Sequence, residues 1–375
     1  MYAAMDFPSD YVTARRNFRD AAASVGWIAS QHSVGAAGPT GEDLTIDVAM
    51  SPPQQSGRVL VVSSGLHGVE GPLGSAVQIA LMERWARGGW PDEVRCVLLH
   101  ALNPYGFAWS RRFDGDNIDP NRNFLPEGFQ CLEDTETYAR FDRLLNPRRG
   151  SSRWDLFYPR ALLAVAVHGV PSLKEALVTG QHDFPKGLFF AGKGPSRTYE
   201  MLRRHMKSWI GEAAMVAHLD FHTGLGRWGT CKLLVDHPLN PMQRERLVGW
   251  FSPGSFEEND PQGVAYHARG TLGQWCAGQN FAADYVFAFA EFGTYGNLSV
   301  IAGLRAENQA HHWGRPGDTG TMRAKARLCE LFCPRSAAWR SRALAGGLDI
   351  VERAANGLAS GCLESRGQES LRYNT

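Results

Sequence analysis

Hydrophobic and polar positions along the chain switch between a helical and an extended period, and the switches lay out a series of elements. Residues 9–34 carry Tyr11, Phe18, Ala21 and Val25 at helical spacing, which predicts one amphipathic helix. A strand near 43–49 precedes the apolar run at 58–63. Residues 72–87 predict a helix with Pro72 near its start, where proline is tolerated, and 94–100 a strand. Helices follow at 134–146 and 195–210, the second capped by Ser196. Strands fall at 215–221, 231–235 and 284–290, and the segment 318–356 reads as mostly helical. This alternation predicts an α/β fold, a mostly parallel or mixed central sheet with helices on both faces and functional loops at strand ends. No repeat, low-complexity tract or linker divides residues 1–375, so one domain is expected.

Chemistry concentrates at the ends of the predicted strands. The run Ser-Gly-Leu-His67-Gly-Val-Glu70-Gly follows the strand 58–63 and opens the helix 72–87. Residues three apart share a face there, so His67 and Glu70 can reach one ion. Zinc accepts such mixed nitrogen and oxygen ligands, and a catalytic zinc keeps three protein ligands plus a water. The segment Met215-Val-Ala-His-Leu-Asp-Phe-His222-Thr-Gly ends a strand on whose one face Asp220 and His222 both lie. His222 can project from that end as a third ligand. Glu291 closes the apolar run Tyr285-Val-Phe-Ala-Phe-Ala-Glu291, where a carboxylate is costly unless paired, hydrogen-bonded or close to a metal. Each residue alone also has a plain structural reading. Together the four compose a metal-assisted hydrolase site.

The order of motifs resembles the M14 zinc carboxypeptidases. It runs His67-x-x-Glu70, Asn103-Pro-Tyr-Gly106, Asn117-Ile-Asp-Pro-Asn-Arg-Asn-Phe124, His222 and Ala290-Glu291-Phe-Gly-Thr-Tyr-Gly296, spanning about 58–296. The form of SSGLHGVEG and HALNPYGFAW is most similar to a bacterial branch, DUF2817. The resemblance implies a phosphorylase/hydrolase-like α/β fold and one zinc ion per chain on His67, Glu70 and His222. It implies Glu291 as general base and Asn121 with Arg122 as the grip on a substrate's free carboxylate. Arg112 matches the arginine that stabilises the oxyanion, with Arg111 as the competing choice. Asp119 matches the carboxylate that holds the first zinc histidine. Tyr266 fits the substrate-capping tyrosine, with Tyr285 and Tyr295 as alternatives.

Each implied role has physical grounds. Zinc acidifies its bound water and polarises a carbonyl, a nearby glutamate can move the proton, and a guanidinium stabilises charge developing on oxygen. The planar fork of arginine suits a carboxylate. Departures fall around the substrate side. The gap from Glu70 to His222 is long and holds Thr179–Phe190 without a counterpart, Pro120 precedes Asn121-Arg122, and the loop from Ser110 to Asp119 is short.

Composition narrows the classes. A net charge of +1 gives no basis for nucleic acid or an anionic membrane as partner, and 43% apolar with 21% charged residues is ordinary for a globular chain. The beginning of the sequence shows neither a basic nor an apolar signal region, and the seven cysteines are scattered, so reduced thiols in the cytoplasm are expected. Three functions are therefore weighed. The first is a zinc metallocarboxypeptidase acting on a peptide or peptide-like C-terminus. The second is an N-acyl amino acid amidohydrolase of the aspartoacylase and succinylglutamate desuccinylase kind. The third, a zinc-binding protein without turnover, is disfavoured by Glu291.

Overall fold

A computed structural model describes residues 7–53, 56–88, 90–125, 136–150, 155–258 and 268–372. Eight strands form one mixed sheet: β1 (Ile28–Ala37), β2 (Asp43–Met50), β3 (Arg58–Ser64), β4 (Val94–His100), β5 (Met215–Trp228), β6 (Cys231–Val235), β7 (Phe256–Glu258) and β8 (Asp284–Gly293). Their order is β1-β2-β4-β3-β5-β8-β6-β7. The centre, β4-β3-β5-β8, is parallel, while β1–β2, β2–β4 and β8–β6 pair antiparallel. The chain is thus a single α/β domain with helices on both faces of a mixed sheet.

Side-chain alternation divides the core. Leu60 and Val62, Ala217 and Leu219, and Ala288 and Ala290 face one layer, with α1 (Tyr11–Ser24), α2 (Gly71–Trp85), α7 (Pro241–Phe251) and α11 (Ala337–Arg372) supplying its helical residues. Val59 and Val61, Val216, and Phe287 and Phe289 face the other, filled from α3 (Pro104–Ala108), α6 (Arg197–Ile210) and α8 (Leu272–Gly278). At the C-terminal ends of the parallel strands this second face turns polar. Continuing the period of two, it presents Ser63 from β3, Asp220 and His222 from β5, and Glu291 from β8. Ser63 pairs in register with Asp220, and His222 with Glu291. A third apolar cluster, fed by α4 (Glu136–Leu145), α5 (Phe157–Val178), α9 (Asn297–Trp313) and α10 (Thr319–Phe332), covers the end of the sheet beside these residues.

One expected element differs. The helix expected over 9–34 ends at Ser24, because Gly26 takes φ +67° and turns the chain. Residues 28–37 form strand β1 instead, paired along β2. Cross-strand pairing overrides the helical reading of that stretch. Elsewhere the strands 94–100 and 231–235 and the helix behind Ser196 lie where the pattern puts them, Ser196 capping through the Tyr199 N–H. Among the described residues no helix is long and apolar enough to cross a membrane.

His100 ends β4 stacked on Phe18, with Nε2 3.0 Å from Ser75 Oγ. Burial pushes its pKa down from 6.5 to about 4, so the folded chain holds it neutral. Between those values the unfolded chain carries a proton that the folded chain lacks, so acidification costs stability across that window and no more below it. One such group contributes a slope of about 1.4 kcal/mol per pH unit. Denaturant melts of the protein and of His100→Gln from pH 7 to pH 4.5 should differ by about that slope; parallel curves would contradict the neutral, buried imidazole.

Candidate metal centre

The site begins where β3 ends. After Ser64 the chain passes through Gly65 and Leu66 to His67 and a 3-10 turn over Gly68–Glu70, which runs into α2. The turn is clamped by the backbone of the arginine segment: Val69 N–H donates to Arg111 O at 2.8 Å and Gly68 N–H to Arg112 O at 3.3 Å. Gly68 is required because a Cβ there would stand 2.0 Å from Gly106 C. Asn103 explains the neighbouring Asn-Pro-Tyr-Gly motif. Its Oδ1 caps α3 through the Gly106 N–H at 2.8 Å, and its Nδ2 donates to Arg112 O at 3.2 Å.

His67, Glu70 and His222 are all buried and can place one ligand atom each within 4.8 Å of one another; this is the single such group among the described residues. The Nδ1 of His67 lies 2.9 Å from Glu70 Oε1, and the Nδ1 of His222 lies 3.2 Å from Oε2. The Nδ1 of His67 is nonetheless buried without a hydrogen-bond partner. A lone pair from each group facing a shared point is what a cation requires, and two imidazoles with a carboxylate form a zinc-type donor set. The residues fit the ion.

Each histidine is held from behind. Asp119 Oδ1 stands 3.0 Å from His67 Nε2, and Asp220 Oδ2 stands 2.6 Å from His222 Nε2. These carboxylates fix Nε2 as the protonated nitrogen and leave Nδ1 facing the ion position. Burial alone would raise the pKa of Glu70, but His67 and His222 outweigh it and hold the carboxyl well below its ordinary range. Burial likewise opposes Arg112 and His67 at Asp119, and again the charges win, keeping it ionised. Asp220 and Glu70 overcome burial to raise His222 far above its ordinary value, so its Nδ1 carries a proton that a cation would have to displace.

A longer chain of hydrogen bonds reaches beyond Asp220, and the sequence pattern gave no sign of it. Ser63 Oγ donates to Asp220 Oδ1 at 2.6 Å and lies 2.7 Å from His218 Nε2, while His218 Nδ1 lies 2.8 Å from the Tyr285 hydroxyl. Ser63 has one proton and gives it to Asp220, so it must accept from His218. His218 is therefore the Nε2–H tautomer and accepts from Tyr285. Burial pushes its pKa down to about 4, consistent with a neutral ring. Every donor in the chain points toward Asp220.

The other residues singled out from sequence divide into those at the site and those away from it. Arg112 donates to Glu70 Oε1 at 3.2 Å and to Asp119 Oδ2 at 3.1 Å. Arg111 is fully buried elsewhere, on Glu307 at 3.0 Å with Asn117 and Asn308. Glu291 accepts the Leu225 N–H at 3.0 Å; burial pushes its pKa up to about 7, with His222 opposing and Glu70 adding to the rise. Asn121 Oδ1 accepts the Leu272 N–H at 3.0 Å, which ties the 3-10 turn Pro120–Arg122 to α8. Arg122 is buried beside Gly180 at the end of α5. Tyr266 lies outside the described residues. Of its alternatives, Tyr285 is committed to His218 and Tyr295 to Glu330 at 2.7 Å. His67, Glu70, Arg112, Asn121, Arg122, His222 and Glu291 all line one cavity of about 500 Å3, within the usual range for a small-molecule site. From the segment Thr179–Phe190, Phe189 lines the same cavity, and Asp119 N–H donates to Phe190 O at 2.7 Å.

A family profile described as "Protein of unknown function (DUF2817)" matches residues 7–346. The chain belongs to this family. No curated protein matches the sequence of this DUF2817 chain. Among solved structures it is similar to carboxypeptidase A from Helicoverpa armigera, at 13% identity over 87% of this chain and 74% of that one, with a TM-score of 0.46. A metallo-carboxypeptidase from Burkholderia cenocepacia matches at 13% identity over 93% and 69%, TM-score 0.46. An aspartoacylase family protein from Mesorhizobium loti matches at 14% over 78% and 69%, TM-score 0.38.

Removing the Ser63 hydroxyl leaves one oxygen of Asp220 unpaired and loosens its hold on His222. Ser63→Ala should weaken metal affinity about 10- to 100-fold, read by competition with a chromophoric chelator, and Ser63→Thr should restore most of it. Equal affinity in the alanine protein would show that Asp220 needs no support.

Proposed function

We propose that this protein is a zinc-dependent hydrolase that cleaves the amide bond to a residue bearing a free carboxylate, in the manner of a metallocarboxypeptidase. The observation that carries the reading is one cavity holding a His-Glu-His donor set, a buried glutamate and two further cationic groups. A zinc ion on His67, Glu70 and His222 would acidify a water and polarise the scissile carbonyl. Glu291 takes the proton of the attacking water, its raised pKa suiting it to accept and return one near neutral pH. The water oxygen bonds to the acyl carbon, the C–N bond breaks with its electron pair to nitrogen, and Glu291 delivers the proton to the leaving amine. Arg112, spanning Glu70 and Asp119, is fixed beside the ion position and can stabilise charge on the acyl oxygen.

Asn121 and Arg122 take the substrate carboxylate. Arg122 is buried in the cavity lining, and its planar guanidinium fork matches a carboxylate. A second reading, hydrolysis of an N-acyl amino acid, uses the same groups and is favoured by the apolar side of the cavity. Tyr266 is proposed to cap the substrate, and residues 1–375 to act as one catalytic domain. A cytoplasmic setting is supported by the free thiols of Cys96, Cys231, Cys276, Cys329 and Cys333.

Glu291→Gln should keep zinc and substrate affinity while losing about 10²–10⁴-fold in kcat, because a general base acts only on the way to the transition state. Near wild-type turnover would reduce Glu291 to a structural carboxylate. Arg122→Ala should lower kcat/KM on acids by roughly 10- to 100-fold and leave the already poor C-terminal amides nearly unchanged. If the wild type cleaved acids and amides equally, Asn121 and Arg122 would have no part in recognition.

A further inference from the structure

The sheet order provides a ruler across the cavity. From β3 through β5 and β8 to β6 it meets His67 and Glu70, then His222, then Glu291, then Leu234 and Asp236. The carboxylate grip sits at the β6 end, because Asn121 is bonded to the first turn of α8, whose capping residue Thr271 is hydrogen-bonded to Asp236. At the other end, α9 and α10 pack against β5, and α10 also against the turn carrying Glu70. A Cβ on Gly224, two residues past His222, would stand 3.0 Å from Phe332, and the Arg112 guanidinium lies 5.7 Å from the ring centre of Phe189. A substrate with its carboxylate on Asn121 at the β6 end and its scissile carbonyl at the ion position therefore extends its acyl side toward α9 and α10, while Arg122, beside Gly180, stands at the end of α5.

That side is apolar. Leu173, Leu177, Phe189, Val300, Leu304 and Phe332 form it, and among the described residues the polar side chains beside them are Asn297 and Thr223. An extended peptide would leave backbone N–H and C=O groups unpaired against such a wall, which is unfavourable for each group. A hydrocarbon chain would not. The wall also reaches the surface: Val170 lines the cavity at 61% exposure, and Leu163 and Val167 continue along α5 at 64% and 66%. We infer that the cavity binds an aliphatic acyl chain, so that the substrate is an N-acyl amino acid carrying a hydrocarbon acyl group. This inference rests on the amide-hydrolase reading for its chemistry and narrows it on the acyl side.

The test is a series of N-acetyl-, N-hexanoyl- and N-decanoyl-leucine. Turnover is measured on the zinc-loaded protein, and binding by calorimetry on zinc-loaded Glu291→Gln. Affinity and kcat/KM should each rise about three- to fourfold per methylene over the first additions, in line with burial of hydrocarbon. Val170→Asp, at an exposed position that tolerates charge, and Ile301→Asp, on α9 in the cavity lining, should each reduce the decanoyl-to-acetyl ratio at least fivefold. A ratio that is flat or inverted in wild type overturns the acyl assignment, and turnover of the acetyl compound in that case leaves the hydrolase reading standing. Binding that tightens with chain length without any turnover supports the acyl site and removes the proposed reaction. No binding of any of the three overturns both.

Discussion

Glu70 is a carboxylate withdrawn from water and set between two imidazoles, and much of the surrounding architecture serves that arrangement. Four carboxylates, Glu70, Asp119, Asp220 and Glu291, are buried within one neighbourhood. Taking such charges out of water costs several kcal/mol each unless geometry and hydrogen bonds compensate. Arg112 compensates two of them, bridging Glu70 and Asp119. Asp220 is met by His222 and Ser63 and Glu291 by the Leu225 N–H, while the Nδ1 of His67 has no hydrogen-bond partner. A divalent cation at the shared point would complete the charge balance and give that lone pair a use.

Placement of these groups follows from the sheet. Parallel strands end together, and strict alternation puts Ser63, Asp220, His222 and Glu291 on one face. The same alternation puts Val61, Val216 and Phe289 behind them, in a packed layer that keeps the strands in register. Register matters here because a slip of one residue would turn the ligands into the opposite layer. The polar chain from Tyr285 through His218 and Ser63 to Asp220 adds a second constraint that links β8, β5 and β3 by side chains as well as backbone.

Much of this was legible in the sequence, and the reasons for the rest are physical. His67 and Glu70 are three apart, so local geometry sufficed to bring them together. His222 and Glu291 were legible because each ends an apolar extended run. Arg111 and Arg112 could not be separated by sequence, since adjacent residues point apart and which one faces the ion depends on Glu307, far along the chain. The partnership of Ser63 with His218 depends on register between strands that lie 155 positions apart. The stretch 28–37 carries a helical spacing that its antiparallel partner, β2, overrides. The apolar wall has no clear sequence signal: α5, its main exposed part, falls in the long gap between ligands, and Gly169 at φ +79° breaks its helical run.

On the proposed reading, His67, Glu70 and His222 together hold one zinc ion with a position left for water. Zinc K-edge X-ray absorption on the metal-loaded protein tests it most directly. The account predicts two imidazole nitrogens at about 2.0–2.1 Å with oxygen ligands at about 2.0–2.2 Å, and a changed spectrum in Glu70→Gln. Sulfur scattering near about 2.3 Å, or a spectrum that Glu70→Gln leaves unaltered, would place the metal elsewhere and contradict the account.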